Sequence, residues 1–203
     1  MPMSTSEGRL PISDPAQVRL LSSPVRQEVV DTLGALGGEA GIAELSEQLG
    51  RPADGLYYHL RALVAGGLVE ETPARNGERR FRLSGTGSAP LQLAYDLGTN
   101  GNAAELRAFA RGMLQVAERD FEHALDVGDA VVAGAGRELW ASRSKGWLGR
   151  EDMLEVNALL VRLSELMSQP KAPGRDRLAS LAFVLAPINA KPKRRPSPKG
   201  RPR

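Results

Sequence analysis

The chain has no cysteine and only two histidines in 203 residues. Without cysteine there is no disulfide, no thiolate metal centre and no cysteine nucleophile, and the composition suits a reducing cytosol. A phosphate-cradling glycine loop is also missing, and the two histidines stand apart, so no acid, base or nucleophile is assembled. The expectation is a non-enzyme without cofactor or metal. No apolar run approaches the length that spans a bilayer, and the opening MPMSTSEGRL has neither the basic nor the apolar region of a signal peptide. A soluble, cytoplasmic protein with no membrane contact is expected.

What the chain does have is an uneven charge. The net charge is +3 and the pI about 9.5, yet Lys191, Lys193, Arg194, Arg195, Lys199, Arg201 and Arg203 supply +7 with no acid in residues 190–203, leaving −4 for the rest. Residues 1–90 hold nine Arg or Lys against eleven Asp or Glu. Any attraction of the folded part to a polyanion must therefore come from local placement.

The most informative stretch is Ile42 to Leu83. Ile42, Leu45 and Leu49 recur at i, i+3 and i+7, one face of a short helix that stops at Gly50. Pro52 suits the first turn of a second helix, predicted over 52–65. There Leu56, Leu60 and Leu63 form the inward stripe, and Asp54, Tyr57, Tyr58 and Arg61 the opposite one. Gly66 and Gly67 end it. Residues 68–72 and 78–83 read as two strands joined at Asn76-Gly77, the dipeptide best suited to a two-residue hairpin turn. The spacing predicts a helix-turn-helix with a β-wing at 68–83.

The run YHLRALVAGGLVE resembles the recognition helix and strand entry of ArsR-like winged helix-turn-helix transcriptional regulators, matching at His59, Leu60, Leu63, Gly67, Leu68 and Val69. LLSSPVRQEVVDTL resembles the opening of the same proteins. Two positions depart: Pro52 stands where a capping Ser is frequent, and Gly66 replaces Ala. The thiolate metal site known in that family is absent, since Ser46 and Gln48 occupy the cysteine positions. Asp120, Glu122, His123 and Asp126 would make at best a poor carboxylate site across two protomers, where an acid patch is more often simply solvated. The resemblance also implies a C-terminal module at which an unknown effector or partner binds.

Elsewhere, residues 1–12 are expected to be disordered. Asp14-Pro15 opens a helix with Val18, Leu20 and Leu21, and Ser23 caps another whose buried stripe is Val25, Val29, Leu33 and Leu36. The winged domain is placed at 13–85, followed by a linker and short helix at 86–102, the helix at Leu91–Leu97. From Ala103 to Val127 apolar residues recur near heptad spacing, the pattern of a dimerisation helix; a helix packed only within its own chain is the alternative. Glu138–Leu148 and Leu178–Ile188 read as strands around a helix that ends near Met167. With the long helix they make a small α/β module over 103–189, and a disordered basic tail follows at 190–203. The fold class is mainly α with small β elements.

The function this predicts is sequence-specific binding of double-stranded DNA by a homodimeric transcription regulator. Asp54, Tyr57, Tyr58 and Arg61 would face base edges in the major groove, and Arg75, Arg79 and Arg80 of the wing would reach phosphates or the minor groove. Only Glu78 lies near those arginines in sequence. His59 is expected to be a half-buried structural imidazole, and Tyr57 is as able to pack against the wing as to meet DNA. Asp54, a carboxylate facing phosphates, is the awkward member. Together with the acidic body it motivates the alternative, a winged-helix protein interaction module without sequence-specific DNA binding.

Overall fold

The computed structural model describes residues 11–73, 78–85, 92–98 and 101–188. Helix α1 spans Pro15–Leu20; the Asp14 carboxylate accepts from the Ala16 amide at 2.8 Å, and Pro15 takes the first helical position. Helix α2 spans Pro24–Ala35. Ser23 stands at its cap, but the hydroxyl makes no capping bond; only its carbonyl accepts, from the amides of Arg26 and Gln27. Helix α3, Ile42–Leu49, ends at Gly50 in the left-handed region, φ 58°. Helix α4, Ala53–Ala65, starts one residue later than expected, because Pro52 serves as its cap.

Three strands close the domain. Strands β2 (Glu39–Gly41), β3 (Val69–Thr72) and β4 (Arg80–Leu83) form an antiparallel sheet in the order β2-β4-β3, with Glu39 opposite Arg82 and Val69 opposite Leu83. The wing hairpin is thus present, while its expected turn at Asn76-Gly77 lies outside the described residues. Strand β2, in the glycine-rich stretch that follows α2, is not among the strands expected from the sequence.

Two further expectations are corrected here. Pro11–Ile12 (β1) pairs in parallel with Gln92–Leu93 (β5), so residues 11–12 are ordered and 92–93 are not helical. The reason is burial: Ile12 is 3% exposed, and a helix as short as 91–97 cannot offset its nucleation cost in isolation. Asn102, itself buried, holds the intervening loop by donating to the Ala94 carbonyl and accepting from the Asp96 amide.

Among the described residues, the buried core lies between Ile12 and Leu83. Val18, Val29, Leu33, Leu45, Leu56, Leu60 and Leu63 are all 1% exposed or less, each contributing about 1.5–3 kcal/mol by burial. Onto it docks the long helix α5, Ala103–Val127, through Leu106 and Phe109. The buried Gln27 amide donates to the carbonyls of Leu21 at 2.5 Å and Phe109 at 3.1 Å. Gly112 allows the approach: a Cβ there would come within 2.7 Å of the Ser22 carbonyl oxygen. Arg19 pairs with Glu105 at 2.8 Å, and Arg119 with Glu28.

Helix α6, Arg150–Met167, starts where the Asp152 carboxylate accepts from the Gly149 amide at 2.7 Å. The strands expected at 138–148 and 178–188 do not form. Both stretches are irregular, with Trp147 96% and Leu178 68% exposed. A strand exists only by pairing, and among the described residues no second strand lies alongside either of them.

At the α2–α5 contact, Asp31 is pushed from 3.8 up to about 6, by desolvation among packed groups and then by the charges of Asp120 and Glu28. Asp31 is nonetheless exposed, so screening by solvent keeps the cost small. The folded state therefore holds the proton more tightly than the unfolded chain, and the ionised carboxylate lowers stability increasingly as pH rises from about 4 through about 6. Asp31→Asn is expected to raise the melting temperature modestly at pH 7.5 and to make no difference at pH 4, checked by thermal unfolding at both. Gly112→Ala separates packing from propensity. Propensity alone favours Ala by about 1 kcal/mol, whereas overpacking against Ser22 costs about 1–3 kcal/mol; a net loss in urea unfolding is expected.

Candidate nucleic-acid interface

Helix α4 has two unlike sides. Leu56, Leu60 and Leu63 are sealed in the core, while Asp54, Tyr58 and Arg61, spaced i, i+4 and i+7, are exposed on one stripe. Tyr58 is 68% exposed, its ring edge-on to His59 at 5.3 Å. Asp54 sits in the first helical turn, where a carboxylate stabilises the helix dipole. That local role explains a charge that looked out of place. Tyr57 leaves the stripe: it is half-buried and meets Phe81 of β4 edge-on, ring centroids 6.4 Å apart. It therefore joins helix to wing.

His59 is half-buried, and its Nδ1 has no hydrogen-bond partner. Desolvation first, then the charges of Arg26 and Arg51, lower its pKa, so the ring is neutral at pH 7. It behaves as the structural imidazole expected from its place beside Leu60 and Leu63.

The wing carries a correction. Its arginines look unopposed in sequence, yet the sheet register supplies acids from neighbouring strands. Arg80 pairs with Glu39 at 2.9 Å, Arg82 with Glu70 at 2.8 Å, and Arg79 with Glu71 at 3.5 Å. Glu78, the acid nearest in sequence, instead lies over Gly41 at the start of α3. These pairs are half open to water and worth about 0–1 kcal/mol each, so a phosphate can compete for the arginines, most easily for Arg79. Arg75 lies outside the described residues.

The turn between α3 and α4 is held from behind. Ser46 Oγ donates to the Arg51 carbonyl at 2.6 Å, and Arg51 donates to Glu28 at 3.1 Å. Glu28 also accepts from Arg119 of α5. One carboxylate thus connects the approach to α4 with the long helix. No sequence signal marks this, because the three residues come from three separate segments. Ser46 is consumed by the turn, while Gln48 remains exposed. Of the acidic and His residues on α5, Glu122, His123 and Asp126 are exposed, and no group of three or more potential ligands is gathered for a metal among the described residues. Among the same residues, no helix is long and apolar enough to cross a membrane.

A family model described as a helix-turn-helix domain matches residues 21–72. No curated protein matches the chain. The matched residues take in α2, α3, α4 and β3, the elements that bury one stripe of α4 and expose the other. Residues 21–72 are a helix-turn-helix domain, the kind of fold by which transcription regulators bind DNA.

Proposed function

We propose that the chain is a cytoplasmic, ArsR-like, sequence-specific DNA-binding transcription regulator that acts as a homodimer through binding rather than catalysis. Helix α4, with its cap at Pro52, enters the major groove, and the β3–β4 wing lies on phosphates or in the minor groove. The observation that carries this reading is the division of α4, three leucines sealed in the core and Asp54, Tyr58 and Arg61 open on the other side. Arg61 is suited to guanine O6 and N7, Asp54 to the cytosine amino group, and Tyr58 to a phosphate or a thymine methyl. Two copies give the two reading helices that a palindromic site requires.

Charge supports a division of labour. Asp54 and Arg61 offset each other on the reading stripe, and the wing arginines are paired with acids. Sequence-blind attraction is assigned to the seven cations of residues 190–203. The same neutralised wing favours the second reading, a winged helix that binds protein, since its outer surface lacks a free cationic patch among the described residues.

Selection from random duplex DNA by the full chain is expected to recover a palindromic sequence; selection of none, together with capture of a partner protein, supports the second reading. On the selected site Arg61→Ala is expected to lose about 1–3 kcal/mol of binding and to relax one base position. Arg79→Ala should weaken all sequences alike and flatten the log–log salt slope by about 0.9. Unchanged affinity in both variants rules out the groove geometry.

A further inference from the structure

Of 24 large apolar side chains exposed among the described residues, 20 lie between Leu125 and Ile188. None of the buried core does. This part of the chain carries the composition of an interior and has no interior of its own, the signature of a surface that another molecule covers.

Helix α6 shows it most clearly. It buries no residue, yet Met153, Leu160, Leu163 and Met167 run along one side, and Leu154 and Val161 stand on the other. A helix apolar on both sides belongs inside an assembly. The flanking stretches make the same point through their backbones. Among the described residues, no backbone–backbone hydrogen bond is made by residues 139–148 or 176–188, which leaves their N–H and C=O groups free to pair with another chain. The arm is nevertheless anchored at its root: Arg177 bridges Asp129 at 3.2 Å and Glu138 at 3.0 Å. Beyond the root, Ser180, Leu181 and Ala182 lie against Met113, Val116 and Ala117 of α5, with a gap of only about 50 Å³ between them.

We propose that a second copy of this chain covers the arm. Helix α6 of each copy packs on the other copy, and stretches 138–148 and 178–188 complete a sheet shared between the two. The proposal rests on the homodimer reading above and adds which segment holds the copies together. Three observations select a second copy. Backbone groups left unpaired in one copy are satisfied by the same two stretches of another copy, as a two-fold interface requires. The surface is continuous with the half-exposed stripe of α5 that 180–182 already touch. Its twenty apolar side chains approach the roughly 20–30 residues that one partner contributes to a stable interface. Helix α6 also carries four acids against two arginines, which makes an anionic membrane a poor host.

The test uses the full chain, with sedimentation and gel shift side by side. The wild type is expected to be a dimer. Leu160→Glu combined with Leu163→Glu is expected to weaken association roughly 100-fold or more, leaving the melting of the 12–83 core and binding to a single half-site unchanged while binding to the full palindrome falls. A wild type that stays monomeric overturns both this proposal and the homodimer reading. A variant that remains a dimer overturns this proposal alone. Hydrogen exchange on the wild type gives an independent check: amides of 138–148 and 178–188 should become protected as concentration rises through dimerisation, and fast exchange in the dimer overturns the shared sheet.

Discussion

The burial of Leu56, Leu60 and Leu63 is the constraint on which the rest of the molecule depends. Those three side chains lock helix α4 about its own axis, because a rotation of one residue would drag a leucine into water at a cost of about 1.5–3 kcal/mol. With rotation fixed, Asp54, Tyr58 and Arg61 have one direction left to face, and that direction is solvent. The wing is indexed to the same frame through the edge-on contact of Tyr57 with Phe81. The exposed stripe built this way is rigid by packing and owes nothing to the charges it displays.

Electrostatics then plays a different part from the one that the pI of 9.5 suggests. The folded domain balances its arginines against Glu39, Glu70 and Glu71 across the sheet, pairs that add little stability and suppress indiscriminate attraction. The excess positive charge sits at residues 190–203. For the proposed DNA reader, this charge layout separates attraction from discrimination and leaves specificity to base-edge contacts.

Helix α2 connects the two halves of the molecule. Its Gln27 holds the Phe109 carbonyl of α5, and its Glu28 joins Arg119 of α5 to Arg51 just ahead of α4. Gly112 permits the close approach that makes both contacts possible. Any rearrangement of α5 would therefore be felt at the turn that positions α4, through contacts one side chain long. Asp31, beside Asp120 and Glu28, adds like charge at the exposed edge of the same contact.

The sequence by itself determined the helices and the domain they build. Periodicity, glycine stops and proline starts are local signals, so α3 and α4 were legible from the spacing of Leu45, Leu56, Leu60 and Leu63, α5 from its near-heptad recurrence, and the wing strands from the runs on either side of Asn76-Gly77. Only the tertiary structure decided what depends on a partner distant in sequence. It recruited Glu39–Gly41 and Pro11–Ile12 into sheets, turned Tyr57 onto Phe81, set glutamates opposite the wing arginines, and left 138–148 and 178–188 unpaired. The physical reason is that a helix satisfies its backbone within itself, whereas a strand or an ion pair takes its identity from whatever the fold brings alongside.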